Sequence, residues 1–240
     1  MSKKLSIDVC VSPYLYPVYH REDTIVVIID ILRATSAMCT AFHYGVDKMI
    51  PVATVEEAME YKQQGFLVGA ERNGIQLEGV DFGNSPYSYM SEKIKGKTIV
   101  LSTTNGTQAI DVSKNAYKVV IGSFVNMTAL CNWLKVQNKN ILLLCSGWKN
   151  RVSLEDTLFA GAVTEQLMKN GDQFKTGDGA LSASYLFESA RHNPYKYMRN
   201  ASHAERLAGL GLKEDIRYCL KPDQTNVIPV LEGKYLVKMS

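Results

Sequence analysis

The sequence predicts an α/β protein with largely parallel sheets flanked by helices. Runs of β-branched residues, typical of strands buried on both faces, alternate with segments of helical apolar spacing, and polar turns follow many of the runs. The 240 residues are 46% hydrophobic and 21% charged, which is ordinary for a folded globular protein with a full core. These observations favour a large sheet and exclude a disordered chain.

The first part of the chain carries the clearest alternation. Residues 24–30 are a continuous apolar run that ends in Asp30, and residues 34–44 are mostly helix formers. Thr54 is predicted to cap the next helix. Residues 73–86 are rich in turn formers and are predicted to form a loop. Further strands are predicted at residues 49–52, 66–70, 97–101, 119–122 and 140–144, with helices between them.

From Ser153 onwards the pattern becomes mainly helical. Ser153 and Asp156 have the spacing of a capping box in its aspartate form. We therefore divide the chain into an α/β core at residues 1–150 and a mainly helical second part with terminal strands at residues 151–240. The first predicted helix starts at Ser153, carries its apolar face at residues 158–168 and is closed by Asn170 and Gly171. Further helices are predicted at residues 179–192, 203–210 and 214–219, and terminal strands at residues 227–230 and 235–237.

Composition also limits the partners and the location. The net charge is +3, and Lys and Arg are scattered among Asp and Glu, so nucleic-acid binding is not expected. The five cysteines are widely spaced and form no CxxC pattern, so neither a disulfide framework nor a zinc site is expected. No apolar run approaches the length of a membrane span, and no signal core follows the N-terminal lysines. We therefore expect a cytoplasmic protein that does not contact a membrane.

Polar turns follow four of the predicted strands. Ligands of open α/β sheets bind beyond the carboxyl ends of the strands, where loops meet helix N-termini. We therefore expect these four turns to meet at one rim of the sheet. They cover residues 30–33, 71–74, 102–107 and 145–147.

Two of these turns combine a carboxylate with a guanidinium group. Arg33 lies three residues after Asp30, and Arg72 directly follows Glu71. Guanidinium groups bind phosphate, sulfonate or carboxylate, whereas a nearby carboxylate repels those anions unless a metal ion lies between them. The pattern indicates a magnesium-bridged oxyanion, and the alternative is a pair of structural salt bridges. With the first interpretation, Arg33→Ala would lower turnover and leave the thermal midpoint nearly unchanged.

The third turn has the composition of an anion-binding loop. Hydroxyl groups, an amide, a glycine and the backbone N–H groups of a helix start can together surround an anion. The alternative is an elaborate helix cap. The turn lacks the lysine of a Walker P-loop, so binding of a nucleoside triphosphate is not indicated. Its residues are Ser102, Thr103, Thr104, Asn105, Gly106 and Thr107.

Other polar residues allow a functional and a structural interpretation. Asp81 and Asn84 can lie over the cleft or form a turn that leads into a proline. Asp156 lies in the first turn of a helix, where the helix dipole alone favours acids. Cys145 is either a nucleophile or a small buried side chain. His203 has no metal-ligand spacing and is predicted to be a solvent-facing helix residue, with a general acid as the alternative.

The polar segments, taken in order, resemble the motif series of the 2-phosphosulfolactate phosphatase family. The resemblance spans about residues 7–229. Two departures are Ala70 and Asn73, which stand where the family commonly has glycine. The matching segments are residues 26–36 (VVIIDILRATS), 70–74 (AERNG), 81–86 (DFGNSP), 102–107 (STTNGT) and 153–157 (SLEDT).

The resemblance implies a magnesium-requiring hydrolase that converts 2-phosphosulfolactate to sulfolactate and inorganic phosphate, a step in coenzyme M synthesis. It also implies a two-part α/β fold and a homo-oligomer, expected to be a dimer. Asp30, Glu71 and Asp156 are then the predicted magnesium ligands, with Asp81 in reserve. Arg33 and Arg72 would clamp the phosphate and the sulfonate. The predicted substrate-binding residues are Ser102, Thr103, Thr104, Asn105, Gly106, Thr107, Asn84, Ser146 and Gly147.

The substrate carries about four negative charges, so a metal ion and several donors must offset them before a nucleophile approaches. The simplest chemistry is in-line attack by a metal-activated water, with Asp30 or Asp81 as the base, and the alternative is an aspartyl phosphoenzyme. Two other functions stay open. One is a phosphatase acting on another small anionic phosphomonoester, and the other is a protein that binds anions without turnover.

Overall fold

The computed structural model describes residues 4–103, 105–169 and 173–239, and the fold is built around one large sheet. The sheet order is β5-β4-β6-β3-β11-β10-β7-β2-β8-β1-β9. The strands are β1 Leu5–Cys10, β2 Thr24–Ile29, β3 Lys48–Val52, β4 Leu67–Arg72, β5 Ile75–Gln76, β6 Thr98–Ser102, β7 Lys118–Gly122, β8 Asn140–Cys145, β9 Phe174–Thr176, β10 Pro229–Glu232 and β11 Tyr235–Lys238.

Helices pack on both faces of this sheet, which confirms the predicted fold class. Short 3₁₀ turns complete the connections. The helices are α1 Tyr16–Tyr19, α2 Ala34–His43, α3 Val55–Gln63, α4 Gly106–Ser113, α5 Met127–Lys135, α6 Leu154–Met168, α7 Asp178–Ala190, α8 Pro194–Met198, α9 Ser202–Gly209 and α10 Lys213–Cys219. None of the helices within the described ranges is long and apolar enough to cross a membrane.

The sheet consists of two parallel blocks joined by a C-terminal hairpin. Strands β7, β2, β8, β1 and β9 form the larger parallel block, and β3, β6 and β4 form the smaller one. The hairpin β10–β11 lies between the blocks and pairs antiparallel with β7 on one side and β3 on the other. The sheet is therefore mixed, although most of its strands run parallel to a neighbour.

Following the pairing from strand to strand, the strands of the smaller block run antiparallel to those of the larger block. Three antiparallel pairings, β3–β11, β11–β10 and β10–β7, separate them. Sheet twist of about 20–25° per pairing accumulates to roughly a right angle over the four pairings from β2 to β3. This rotation allows loops from the two blocks to approach each other.

Strand β2 shows why the centre of the sheet is stable. Its alternate residues Ile25, Val27 and Ile29 belong to one apolar cluster, while Val26 and Ile28 belong to a second cluster. All five side chains are at most 1% exposed. The β-branched run predicted as a strand buried on both faces is thus confirmed, and it carries Asp30 at its carboxyl end.

The predicted helix starts at Thr54 and Ser153 are confirmed. The Thr54 hydroxyl accepts a hydrogen bond from the backbone N–H of Glu57 at 3.1 Å. The Ser153 hydroxyl accepts one from Asp156 N at 3.3 Å. Each bond satisfies an N–H group that has no partner inside its helix.

Several predicted elements differ from the structure. Strands β1 and β9 were not expected. β9 has only three residues, whereas β1 alternates apolar and polar residues over most of its six positions, a strand pattern that was overlooked. The predicted loop at residues 73–86 contains β5, which pairs antiparallel with β4. Helix α7 begins at Asp178 and ends at Ala190, so the predicted helix is two residues too long at its carboxyl end.

Parts of the sequence-based organisation stay untested. Strands β9, β10 and β11 come from residues 151–240 but pair within the same sheet as the earlier strands. The division at residue 150 therefore stays a prediction. The predicted helix end at Asn170 and Gly171 lies outside the described residues.

Candidate active site

A polar cavity lies where loops from both parallel blocks meet. Six of the predicted site residues line it: Asp30, Arg33, Glu71, Asn84, Thr103 and Asn105. Leu32, Asn73, Trp148, Lys149, His203 and Arg206 complete the lining. The expectation that the polar turns share one rim is confirmed for these residues.

The carboxylate of Asp30 lies at the start of α2. Its Oδ1 accepts a hydrogen bond from Ala34 N at 3.3 Å, and its backbone N–H donates to Thr35 Oγ1 at 3.1 Å. Asp30 is 9% exposed, and this burial raises its pKa from 3.8 to about 6. The nearby His203 lowers this pKa, whereas the Glu71 carboxylate raises it. Asp30 therefore binds a proton more readily than an aspartate in water.

Arg33 is a structural residue as well as part of the cavity wall. It is 5% exposed, and its Nη1 lies 2.6 Å from Asp215 Oδ2 on α10. Its Nη2 donates to Gly74 O at 2.9 Å and lies 3.7 Å from Glu71 Oε2. The guanidinium group therefore joins the 30–33 turn to the β4–β5 hairpin and to α10. Arg33 is ion-paired with Asp215 and Glu71 and not with the neighbouring Asp30, so its salt bridges differ from the one expected within the 30–33 turn, and its role in clamping a substrate stays a prediction.

The turn between β6 and α4 is an elaborate helix cap beside the cavity. The Thr103 hydroxyl accepts a hydrogen bond from Thr107 N at 3.0 Å, and the Thr107 hydroxyl donates to Thr103 O at 2.8 Å. A Cβ atom at Gly106 would lie 3.1 Å from Asp30 Oδ2, so glycine allows the turn to approach that carboxylate. Thr104 lies outside the described residues. Thr107 is engaged within the cap, while Thr103 also faces the cavity.

Asp156 connects two loops through backbone hydrogen bonds. Its Oδ1 accepts from Ile31 N at 2.9 Å, and its Oδ2 accepts from Gly147 N at 3.1 Å. Burial, followed by the charges of Glu155 and Asp30, raises its pKa well above the ordinary value. Because one lone pair of each oxygen is already used, the carboxylate has a clear structural role. Its predicted role as a magnesium ligand stays a prediction.

Asp81 is not among the residues that line the cavity. Its Oδ2 accepts hydrogen bonds from Lys62 Nζ at 2.6 Å and from Val68 N at 2.8 Å. Burial raises the pKa of Asp81, but these two bonds outweigh it, and the pKa lies below the ordinary value. An ion-paired carboxylate of lowered pKa is a weak base, so Asp30 is better suited to that role.

Arg72 and Ser102 line a groove next to the cavity, and Glu71 and Thr103 belong to both. Arg72 is exposed, so it differs from the buried Arg33. Cys145 is fully buried, and burial raises its thiol pKa well above the ordinary value. This matches the small buried side chain that was one of its two interpretations.

His203 and Arg206 on α9 were missed as site residues. His203 Nδ1 lies 2.7 Å from Glu155 Oε1, and the Glu155 side chain is 2% exposed. The His203 side chain is 16% exposed and lines the cavity, so the prediction that it faces solvent was wrong. The two residues are three positions apart and share one helix face. That spacing was the available signal, but a single histidine on a helix is weak evidence for a site.

Two predicted substrate-binding residues have a buried oxygen atom without a hydrogen-bond partner, although Ser146, like Gly147, is not among the residues that line the cavity. The two atoms are Asn84 Oδ1 and Ser146 Oγ, on side chains that are 3% and 2% exposed. An unpaired buried polar atom is costly unless a ligand satisfies it. Asn84 is itself part of the cavity lining, so its oxygen is available to a bound group.

The oxygen atoms that line the cavity are of the type that magnesium binds. No group of three or more His, Cys, Asp or Glu in the described parts of the chain is arranged to hold a metal ion by itself. Magnesium, however, keeps several waters and needs only one or two carboxylates. Asp30, Glu71 and the unpaired Asn84 Oδ1 supply oxygen ligands of the type that it prefers.

The chain is similar to known proteins over most of its length. Residues 10–234 match the model of the family described as 2-phosphosulpholactate phosphatase. Proteins named "Probable 2-phosphosulfolactate phosphatase" match from Thermotoga maritima (43% identity, 88% of this chain, 91% of the relative), Caldanaerobacter subterraneus (39%, 87% and 88%) and Clostridium perfringens (37%, 90% and 89%).

The fold and the cavity define an α/β enzyme with a polar cleft formed by loops at the carboxyl ends of parallel strands. The chain belongs to the 2-phosphosulfolactate phosphatase family. The family resemblance inferred from the motifs is thereby confirmed.

Proposed function

We propose that this protein is a magnesium-dependent phosphatase that hydrolyses 2-phosphosulfolactate to sulfolactate and inorganic phosphate. The observation that carries the proposal is the lining of one cavity by two carboxylates, Asp30 and Glu71, together with cationic side chains. Carboxylates repel a phosphate ester unless a cation lies between them, so this mixture suits a metal-bridged anion. The names of the relatives support the same substrate.

In this proposal Asp30 and Glu71 hold the magnesium ion, and Asn84 Oδ1 contributes a neutral ligand. The bound ion would offset the charge of the phosphoryl group and activate a water. Thr103 and Asn105, which line the same cavity, would donate hydrogen bonds to phosphoryl oxygens. The buried Arg33 lines the same cavity and holds its wall in place through the ion pair with Asp215.

Proton transfer is assigned to two residues. Asp30, the cavity carboxylate at the start of α2, is the proposed base that accepts a proton from the attacking water. His203 is hydrogen-bonded to Glu155 through Nδ1, and its second ring nitrogen, Nε2, would donate a proton to the alkoxide oxygen that leaves when the P–O bond breaks. Glu155 is a positioning residue that orients the imidazole. The alternative mechanism passes through an aspartyl phosphoenzyme. Rapid-quench labelling with radioactive phosphate tests it, since labelled protein would require that intermediate.

We expect phosphate release from 2-phosphosulfolactate to fall to background when divalent metal is removed with a chelator, and to return on addition of magnesium. The uncompensated carboxylates would otherwise repel the substrate. The measurement is the initial rate of phosphate release, with metal content determined by elemental analysis. Full activity in metal-free protein would contradict the role of magnesium. Absence of release from any phosphomonoester would instead favour an anion-binding protein.

We expect His203→Gln to lower kcat by about 100-fold or more for an ester with an alkoxide leaving group. The kcat for an aryl phosphate, whose leaving group needs no proton, should fall much less. Glu155→Gln should give a smaller loss with the same dependence on the leaving group. His192→Gln is the matched control, because His192 is exposed and does not line the cavity. Equal losses with both leaving groups would show that His203 does not donate the proton.

The family resemblance extends the proposal beyond the reaction. We propose a step in coenzyme M synthesis, a cytoplasmic location and a homodimer. Assay of esters with and without a sulfonate group distinguishes this substrate from other small anionic phosphomonoesters, and sedimentation analysis tests the dimer.

A further inference from the structure

The loop after β8 holds a short hairpin at the mouth of the cavity. Trp148 N donates to Arg151 O at 3.0 Å, and Arg151 N donates to Trp148 O at 3.0 Å. The two residues between them, Lys149 and Asn150, have φ values of 51° and 59°. Positive φ at both central positions is the geometry of a type I′ turn, which is tight and well defined. Lys149 is therefore carried on an ordered turn.

Two cationic side chains flank the indole ring of Trp148. Lys149 Nζ lies 4.7 Å from the ring centroid, and Arg206 Cζ on α9 lies 4.8 Å from it. All three residues line the cavity that contains Asp30 and Glu71. We call Trp148, Lys149 and Arg206 the cationic cluster. It joins two chain segments that are far apart in sequence.

The charges of the cationic cluster are not neutralised by protein groups. Within the ranges that the structure describes, neither Lys149 nor Arg206 forms an ion pair, whereas Arg33 and His203 in the same cavity both face carboxylates. Arg206 Nε is also buried without a hydrogen-bond partner. Two like charges beside one ring repel each other, and a buried unpaired N–H is costly. A bound oxyanion would offset the two positive charges and accept a hydrogen bond from the buried N–H group.

We propose that the cationic cluster is a subsite for a second oxyanion of the substrate, separate from the phosphoryl group. This inference rests on the proposed phosphatase function and names the group that selects its substrate. Asp30 and Glu71 would hold the metal ion that attracts the phosphoryl end, while Lys149 and Arg206 attract a sulfonate or a carboxylate on the same molecule. A guanidinium fork and an ammonium group together supply several charge-assisted donors for such an anion.

The test uses Arg206→Met and Lys149→Gln in the full chain. Each change removes the charge and keeps much of the side-chain stem, so packing on Trp148 is largely preserved. For 2-phosphosulfolactate we expect kcat/KM to fall about 10- to 100-fold, mainly through KM, which corresponds to the loss of a charged hydrogen bond. For 2-phospholactate, which lacks the sulfonate, we expect a fall below about threefold if the cluster binds sulfonate. A larger fall with 2-phospholactate would assign the cluster to the carboxylate.

Product binding separates failure of this inference from failure of the proposed function. Calorimetry with sulfolactate and with lactate needs no turnover, and sulfolactate should lose about 10-fold or more in affinity to either variant. Ethyl phosphate, which has no second oxyanion, serves as the reference ester. Arg199→Gln is the matched control, because Arg199 is exposed and lies outside this cavity. Equal losses of kcat/KM for 2-phosphosulfolactate, 2-phospholactate and ethyl phosphate would overturn the subsite. Unchanged affinity of the variants for sulfolactate would also overturn it.

Discussion

Asp30→Asn should abolish phosphate release and, in metal-free buffer, stabilise the folded protein. Loss of the carboxylate removes both the proposed metal ligand and the proposed base, so a fall of about 1000-fold or more in kcat is expected. The rate is measured at saturating magnesium with 2-phosphosulfolactate. A variant that keeps a tenth of the wild-type rate would contradict the assignment of Asp30.

The gain in stability follows from burial of the charge. The folded protein raises the pKa of Asp30 from 3.8 to about 6, so the ionised form is disfavoured by folding. This penalty is absent below pH 3.8, grows as the pH rises and is complete above the folded pKa. At neutral pH asparagine should therefore increase the free energy of unfolding by about 1–3 kcal/mol. Its side-chain oxygen can still accept the hydrogen bond from Ala34 N.

Urea denaturation at two pH values tests this explanation. The stability difference between Asp30→Asn and the wild type should be present at neutral pH and disappear near pH 3.5, because the wild-type carboxyl is then protonated in both states. Asp81→Asn is the matched control, since the pKa of Asp81 is lowered and its loss should destabilise at neutral pH. A gain that persists unchanged in acid would point to packing instead of charge.

Arg33→Met should lower the free energy of unfolding by about 3–5 kcal/mol. The substitution removes the partner that lies 2.6 Å from Asp215, which is only 5% exposed. An unpaired buried carboxylate is strongly unfavourable, and the Gly74 carbonyl also loses a donor. The structure thus replaces the expectation from sequence that loss of the Arg33 side chain would leave the thermal midpoint nearly unchanged.

A second substitution distinguishes loss of the ion pair from loss of packing. Asp215→Asn in the Arg33→Met background removes the unpaired charge and should recover a large part of the lost stability. The four proteins of this double-mutant cycle are compared by chemical denaturation. Absence of any coupling between the two substitutions would show that the buried pair contributes little. An unchanged midpoint in Arg33→Met would restore the original expectation.

The strands and caps were predictable because their signals are local. The run ending at Asp30 has no polar residue for several positions, and such a run is stable only between two apolar layers. Thr54 and Ser153 cap their helices through bonds to residues three positions ahead. Strand β1 was missed although Ser6 and Asp8 alternate with apolar residues, which is the local pattern of a half-buried strand.

The candidate site was predictable only in part. Asp30, Arg33 and Glu71 follow strands directly, and acids or arginines at strand ends are recognisable in sequence. His203, Arg206 and the hairpin at Trp148 were missed, because each is ordinary in its local context. Their importance depends on the packing of α9 against the loop after β8, which brings Arg206 to the indole ring.

Sequence patterns alone were sufficient for the fold class, the family and the acidic strand ends, because each depends on short local segments and on their order along the chain. The meeting of those ends required the folded chain. From the sequence, the strand ends were expected to meet because they would share one edge of a single parallel sheet. In the structure, however, the strands of the two parallel blocks run antiparallel to each other. Long-range contacts such as Arg33 with Asp215 and Gly74 bring the loops together, and no local signal encodes them.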